Sequence, residues 1–177
     1  MRPTFRFMAA HPARWIALGF GSGLAPKAPG TVGTLWAWAV FVAVERFLGA
    51  QPWGWIVLVG TLVGVWACTR CAQHMAVADP GAIVWDEVLA FWLILWLVWP
   101  ATLWQQALLF GLFRFFDAAK PGPVAWADGL FKARRDEPGV TIGWRQGLGI
   151  LLDDFVAAGC TLLLWALGVR AVQLLGV

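Results

Sequence analysis

The sequence predicts an all-α fold: a polytopic membrane helical bundle of about five transmembrane helices, preceded by a short N-terminal interfacial helix. Of the 177 residues, 60% are hydrophobic and only 13% are charged, whereas a soluble domain usually has about 25% charged residues. The mean hydropathy is +0.72. The chain also has 14 Trp and no Tyr, and Trp is favoured at membrane interfaces. No shift in composition divides the chain, so residues 1–177 are predicted to form one integral-membrane domain.

Five apolar segments supply the predicted transmembrane helices. Several contain fewer than the ~20 residues that span a typical hydrocarbon core, so their ends are expected to extend into the interface or the bilayer to thin locally. Before them, the stretch 1–20 carries Phe7, Trp15 and Ile16 among basic residues, which is typical of an interfacial helix. The five segments are 33–49, 54–69, 83–99, 102–117 and 148–169.

The distribution of Lys and Arg predicts the orientation of these helices. Basic residues concentrate before the first segment, after the second, and between the fourth and the fifth, and only Arg46 and Arg170 lie at the opposite ends. Because cytoplasmic connections carry the excess of Lys and Arg, the N-terminus and the connections 70–82 and 118–147 are predicted in the cytoplasm. The basic residues on that side are Arg2, Arg6, Arg14, Lys27, Arg70, Lys120, Lys132, Arg134, Arg135 and Arg145.

Several functional classes lack support in the sequence. The net charge is only +3 and the basic residues form no patch with interleaved aromatic residues, so we expect no nucleic acid partner. Cys68 and Cys71 are interpreted as two small residues near a helix end, because no strand pattern surrounds them. No Cys is followed six residues later by Arg, and two His residues are too few for a His-based lipid phosphatase or a zinc centre. The N-terminus has no long apolar core with a cleavage site, so no signal peptide is predicted.

Five of the ten acidic residues converge at one predicted depth, on the cytoplasmic side of three helices. Asp86 and Glu87 begin the third segment, and Asp117 ends the fourth. Asp153 and Asp154 are expected about one turn into the fifth, where an acidic pair has no capping role. Bare carboxylates this close would repel one another, and a divalent cation would remove the repulsion. Because oxygen ligands favour Mg²⁺ over softer metals, all five acids are candidate metal ligands and catalytic residues.

Basic and glycine-rich segments accompany the acids. Arg114 and Asp117 are three residues apart and would share a helix face, and Pro121 ends the regular structure soon afterwards. A guanidinium and an ammonium beside a metal can bind a phosphate. The loop 19–33 has five glycines whose backbone N–H groups could approach an anion, although a purely structural turn explains them as well. The candidate phosphate-binding residues are Lys27, Arg114, Lys120, Ser22 and Thr31.

Four motifs between residues 19 and 159 resemble those of one known family. They are GFGSGLAPKAPGTVGTL, IVWDE, FRFFDAAKPGP and GLGILLDDFVAAG, and their order is that of the bacterial phosphatidylglycerophosphatase A family. The resemblance implies an all-α, Mg²⁺-dependent phosphatase of the bacterial inner membrane. Its substrate would be phosphatidylglycerophosphate, and its products phosphatidylglycerol and inorganic phosphate. One departure is the loop 131–145, which is longer than the family pattern requires.

The implied site lies just inside the cytoplasmic interface, where a lipid phosphate can be reached while the acyl chains stay in the bilayer. Asp86 and Asp117 are the favoured metal ligands. Because adjacent helical residues point about 100° apart, Glu87 and one of Asp153 and Asp154 are assigned instead to a base or a supporting role. Direct attack by water and a phosphorylated Asp both stay open, as do the number of metal ions, the oligomeric state and the selectivity among lipid phosphates.

The alternative interpretation is a small cation or proton transporter, because such proteins also carry acids within the membrane. A transporter needs polar groups deep in the membrane or an access route from both sides. Segments 54–69 and 88–99 contain little polarity beyond Thr61, and the acids other than Glu45 lie toward one face. The phosphatase is therefore the preferred interpretation.

Overall fold

The computed structural model describes residues 2–131 and 142–176, and within these ranges the fold is all-helical, as predicted. A 3₁₀ segment, Gly19–Leu24, lies between the second and third α-helices. The α-helices of the described residues are α1 Phe5–Ala9, α2 Pro12–Ala17, α3 Pro29–Leu48, α4 Trp53–Met75, α5 Trp85–Leu97, α6 Leu103–Ala119, α7 Pro123–Phe131 and α8 Trp144–Leu174.

The five predicted segments all form helices, namely α3, α4, α5, α6 and α8. Their bounds differ from those of the apolar segments: α4 and α8 continue through polar residues, whereas α5 is shorter than its segment. α8 begins at Trp144 rather than at residue 148. Asp153 therefore lies nine residues after the start of α8, about 14 Å along the axis. The prediction that the acidic pair lies about one turn into its helix was wrong for this reason.

Three of the described helices, α3, α4 and α8, are long and apolar enough to cross a membrane. α5 has 13 residues and α6 has 17, which correspond to about 20 and 26 Å at 1.5 Å per residue. A hydrocarbon core is about 30 Å thick. Five crossings therefore stay a prediction, which for α5 and α6 requires that their ends continue into the interface.

The N-terminal stretch forms two short helices, α1 and α2, where one interfacial helix was predicted. Thr4 Oγ1 accepts a hydrogen bond from the Phe7 N–H, and His11 Nδ1 accepts one from the Ala13 N–H. Each side chain thus caps the start of its helix. The connection predicted as polar contains a further helix, α7, which begins at Pro123. Lys132, Arg134 and Arg135 lie within residues 132–141, outside the described residues. The predicted loop 131–145 also lies mostly there, but its first residue ends α7 and its last two begin α8.

α5 lies at the centre of the bundle and packs against α3, α4 and α8. Seven of the eight residues 88–95 are buried, as expected for a helix that is apolar on all sides. Two indole groups fasten it to its neighbours: Trp85 Nε1 donates to the Gly60 carbonyl at 3.1 Å, and Trp92 Nε1 donates to the Ala37 carbonyl at 2.8 Å. The first turn of α5 is therefore held inside the bundle.

α8 approaches α4 closely where Gly147 faces Val65 and Thr69. A Cβ atom at Gly147 would overlap Thr69 Oγ1 and would lie 2.5 Å from the Val65 carbonyl oxygen, so this approach requires glycine. Small residues allow such close contacts between helices in membranes. The contact fixes α8 about two turns before Asp153 and so helps to place Asp154 beside the first turn of α5.

Candidate metal and phosphate site

Two helices bring three carboxylates together. Asp86 and Glu87 lie in the first turn of α5, and Asp154 lies in α8. One carboxylate oxygen of each residue lies within 4.8 Å of one oxygen of each of the others. Asp154 is buried, and the other two are half-buried. We call Asp86, Glu87 and Asp154 the carboxylate cluster.

The start of α5 fixes the position of the first two acids. The Val84 N–H donates to the Ala17 carbonyl at 3.0 Å, which ties the residue before α5 to α2. Asp86 Oδ1 accepts a hydrogen bond of 3.0 Å from the Glu87 N–H. Acids are favourable in the first turn of a helix because of the helix dipole. Asp154 comes from another helix, however, and its charge makes the cluster a site of mutual repulsion.

The carboxylate cluster fits a divalent cation. Glu87 Oε2 is buried and has no hydrogen-bond partner among the residues that the structure describes. Burying such an oxygen without a partner is costly, and a bound cation would offset both this cost and the repulsion between the carboxylates. Oxygen-only ligands suit Mg²⁺. Asp86, Glu87 and Asp154 are therefore the residues that would hold the ion.

Arg114 lies beside the carboxylate cluster and pairs with two acids. Its Nη1 atom is 3.6 Å from Glu87 Oε1 and forms an ion pair with Asp117 Oδ2 in the last turn of α6. The predicted shared face of Arg114 and Asp117 is confirmed. Asp117 is also an electrostatic neighbour of Asp154. Its oxygens are not among the three grouped ones, so Asp117 adjoins the cluster and is held by the guanidinium.

Asp153 faces a different group of charges from Asp154. Lys120 Nζ lies 2.7 Å from Asp153 Oδ2 and 2.5 Å from Asp128 Oδ1. The Asp153 side chain is only 5% exposed. Consecutive helical residues point about 100° apart, which explains why the two acids have separate partners. Of this pair, Asp154 is the residue that joins the carboxylate cluster.

Asp128 was not among the predicted site residues. It lies in α7, within the stretch predicted as a polar connection. The signal for this helix is Pro123 followed by Val124 and Ala127, since Pro is favoured at the first helical position. Both apolar residues are fully buried. Their burial fixes the face of α7 and directs Asp128 toward Lys120.

The glycine-rich loop leads to the start of α3, beside the carboxylate cluster. Gly30 is the second residue of α3, and a Cβ atom there would overlap Glu87 Oε1 and lie 3.3 Å from Arg114 Nη1. The N-terminus of α3, whose free N–H groups attract anions, therefore adjoins the site at a glycine. Lys27 lies exposed in the loop before α3.

The other two candidate phosphate-binding residues lie in this same part of the chain. Ser22 Oγ donates to the Gly19 carbonyl at 2.8 Å, so its hydroxyl closes the turn of the 3₁₀ segment. Thr31 is half-buried in the first turn of α3. A contact with phosphate stays a prediction for both, and for Lys27.

The chain resembles proteins of known name over most of its length. Phosphatidylglycerophosphatase A of Escherichia coli is 39% identical over 153 residues, which are 86% of this chain and 80% of that protein. The protein of the same name from Haemophilus influenzae is 34% identical over 157 residues, 88% of each chain. A protein of Bacteroides thetaiotaomicron, provisionally named a phosphatidylinositol-3-phosphatase, is 30% identical over 164 residues, 86% of this chain and 94% of its own.

The family comparison covers the whole site. The family model described as Phosphatidylglycerophosphatase A matches residues 15–169, which include the glycine-rich loop, the carboxylate cluster, Arg114 and Lys120. No solved structure matches the chain. On the family match and the identity to both named relatives, this chain belongs to the phosphatidylglycerophosphatase A family.

Proposed function

We propose that the chain is a Mg²⁺-dependent enzyme of the bacterial inner membrane that hydrolyses phosphatidylglycerophosphate at a site facing the cytoplasm. Family membership makes it a phosphatase that acts on a phosphate monoester. The observation that carries the magnesium requirement is the grouping of Asp86, Glu87 and Asp154 within 4.8 Å. The cytoplasmic location is supported by the excess of Lys and Arg at that end of the helices.

The residues around the carboxylate cluster supply positive charge for a phosphate. A bound Mg²⁺ would act as a Lewis acid toward a phosphoryl oxygen. Arg114, with a side chain 20% exposed, offers a planar fork of donors that matches two phosphate oxygens. The N-terminus of α3 adds backbone N–H groups beside Gly30. Lys27 is assigned a further contact from the loop, where an ammonium can stabilise charge on the transferred group.

Hydrolysis needs a group that moves a proton. The bond between phosphorus and the terminal glycerol oxygen breaks, the phosphoryl group passes to water, and the lipid alcohol receives a proton. Asp117, ionised in its pair with Arg114, is the candidate base for the proton that the attacking water loses, and this proton can then pass to the lipid alcohol; Asp117 adjoins Asp154 without being one of the three grouped carboxylates. Its ion pair with Arg114 holds it in place.

The direct test is phosphate release from phosphatidylglycerophosphate by the purified protein in detergent. We expect activity with Mg²⁺, loss of activity with EDTA, and recovery when Mg²⁺ is restored. Asp154→Asn should be inactive, whereas Glu45→Gln, at an acid of α3 outside the site, should keep normal activity. No release by the wild-type protein would refute the substrate, and turnover that resists EDTA would refute the metal requirement.

The substrate is tested against two other lipid phosphates, phosphatidic acid and phosphatidylinositol 3-phosphate. The second is included because of the name of the Bacteroides relative. We expect the highest kcat/KM with phosphatidylglycerophosphate. Faster turnover of phosphatidylinositol 3-phosphate would assign the chain a different lipid substrate with the same site. Membership of a phosphatase family also favours this function over the cation or proton transporter.

A further inference from the structure

We infer that an apolar groove beside the carboxylate cluster holds one acyl chain of the phospholipid substrate. The inference rests on the proposed function and adds the place where the hydrocarbon part of the lipid binds. The groove has a volume of about 610 Å³ and lies between α2, the 3₁₀ segment, α4 and α5. The residues of its wall that carry the argument are Phe20, Trp55, Val59, Gly60, Trp85 and Trp92.

The chemistry of the groove selects a hydrocarbon. The side chains that form its wall are all apolar. The only polar groups they carry are indole N–H groups, and those of Trp85 and Trp92 already donate to the carbonyls of Gly60 and Ala37. These two rings therefore present carbon atoms to the groove. An occupant with hydrogen-bonding groups would lose its partners there, whereas an acyl chain would lose none.

The length of the groove matches one leaflet of a bilayer. Along α4 its wall runs from Pro52 to Val63, which is about 17 Å at 1.5 Å per residue. One leaflet contributes about half of a hydrocarbon core of about 30 Å. A single acyl chain of this length, with its headgroup at the carboxylate cluster, would therefore extend along the groove toward Pro52.

The groove and the carboxylate cluster are formed by consecutive residues at the start of α5. Trp85 lines the groove and is the residue immediately before Asp86 in α5. The Phe20 ring lies 6.1 Å from the Trp85 ring and stacks on Trp36 at 5.5 Å. A phosphate at the cluster and an acyl chain in the groove can thus belong to one lipid molecule. This continuity distinguishes the substrate from lipid that merely surrounds the protein.

Phe20 has a backbone conformation that a phenylalanine rarely adopts. Its φ of 54° and ψ of 30° lie in the left-handed region, where a residue other than glycine persists only when its surroundings fix it. The side chain is nevertheless 50% exposed. The ring is therefore only partly buried, and the backbone conformation of the loop places it in the wall of the groove.

The first test varies the acyl chain and the groove together. Val59→Trp adds bulk at a groove position that is 54% exposed, and Leu58→Trp is the matched control at a neighbouring position of α4 that is 50% exposed and outside the groove. Turnover is measured with hexadecanoyl and hexanoyl forms of phosphatidylglycerophosphate in mixed micelles.

We expect Val59→Trp to lower kcat/KM for the long-chain form at least about tenfold, the equivalent of less than two buried methylene groups. The short-chain form should change less than about twofold, because hexanoyl chains do not reach along the groove. Equal effects on both forms, or equal effects of both variants, would overturn the inference.

The second test does not depend on activity. Phosphatidylglycerophosphate with a diazirine at the end of one hexadecanoyl chain is photolysed with the wild-type protein, and labelled residues are mapped by mass spectrometry. We expect labels on α4 within residues 55–63 that excess unlabelled substrate prevents and excess phosphatidylcholine does not. Equal labelling by phosphatidylcholine with the same diazirine-bearing chain would show that the groove holds ordinary surrounding lipid. It would overturn the inference about the acyl chain and leave the proposed hydrolysis unaffected. Failure of hydrolysis with specific labelling of the groove would instead refute the proposed function alone.

Discussion

Lys120 Nζ lies 2.7 Å from Oδ2 of Asp153, and this contact joins the end of α6 to α8 next to the carboxylate cluster. Lys120 ends α6 in the left-handed conformation, with a φ of 44°. The same ammonium lies 2.5 Å from Asp128 Oδ1 in α7, so one cation links three helices. A lysine has three donors, and two of them are directed at carboxylates here. Lys120 therefore has a structural role besides the phosphate contact that the sequence predicts for it.

Replacing Lys120 should lower the stability of the protein. Lys120→Met removes the contacts of the ammonium with the buried Asp153 and with Asp128, and losing a hydrogen bond to a charged group costs about 1.5–3 kcal/mol. We expect a lower Tm in detergent, and partial recovery in the double variant Lys120→Met/Asp153→Asn, where the charge is removed together with its partner. An unchanged Tm for Lys120→Met would contradict the structural role.

Replacing Lys27 should lower kcat/KM and leave the stability of the protein unchanged. Lys27 is exposed in the loop before α3, so Lys27→Met should leave Tm unchanged. If its ammonium binds the substrate phosphate, kcat/KM should fall by about 10- to 150-fold, which corresponds to the loss of one charge-assisted hydrogen bond. Arg2→Met, at another exposed basic residue, is the control and should keep its kcat/KM. Normal kinetics for Lys27→Met would remove Lys27 from the site.

The metal assignment separates Asp154 from Asp117. Asp154 belongs to the carboxylate cluster, whereas Asp117 pairs with Arg114. Because a cation that binds only the folded protein stabilises it, Mg²⁺ should raise the Tm of the wild-type protein. Asp154→Asn should abolish this rise. Asp117→Asn should keep most of the rise in Tm at saturating Mg²⁺. The Mg²⁺ concentration that gives half of this rise should increase by about 10- to 100-fold, as expected for a residue next to the ligands. The same loss of the rise in both variants would make Asp117 a ligand, as predicted from the sequence.

Gly30 should not tolerate a side chain. A methyl group there would overlap Glu87 Oε1 and crowd Arg114, so Gly30→Ala should displace the carboxylate and reduce kcat at least about tenfold. Gly159→Ala in α8 is the control, because no atom lies within 4 Å of its added Cβ. Alanine is the better helix former, so this variant should have an equal or higher Tm and normal activity. Normal turnover of Gly30→Ala would show that the start of α3 does not adjoin the reacting groups.

The sequence predicts those parts of the structure that depend on local patterns. Apolar segments gave five helices, and the three-residue spacing of Arg114 and Asp117 gave their ion pair. A spacing of this kind depends only on the helical repeat. The residue type was also sufficient to suggest a metal site, because isolated carboxylates inside an apolar bundle are costly.

What the sequence could not predict depends on the rotation and packing of helices. Whether Asp153 or Asp154 faces α5 is set by the contact of α8 with α4 at Gly147, which involves residues far apart in the chain. Asp128 was missed because α7 is short and lies among polar residues. The pairing of Asp128 with Lys120 also requires the packing of α7 on α8, for which the sequence carries no periodic signal.

The last prediction concerns the number of crossings. α5 and α6 are shorter than a bilayer core, so they form either two spans or a hairpin that enters and leaves on the cytoplasmic side. Single cysteines are placed at Gln51 and Pro100, both exposed residues at turns between helices, and at Gly81 between α4 and α5. The three native cysteines are replaced by alanine, and each variant must retain turnover.

An impermeant maleimide is then applied to intact cells and to opened membranes. We expect Gln51→Cys and Pro100→Cys to react in intact cells. Gly81→Cys should react only after the membrane is opened, and so should Lys132→Cys, which is outside the described residues. If Gln51→Cys reacts in intact cells while Pro100→Cys does not, α5 and α6 form a hairpin and the chain has three spans. In either arrangement the carboxylate cluster stays on the side of Gly81, because Asp86 and Glu87 follow it within one short connection. Reaction of Gly81→Cys in intact cells would place the cluster outside and contradict a phosphatase that faces the cytoplasm.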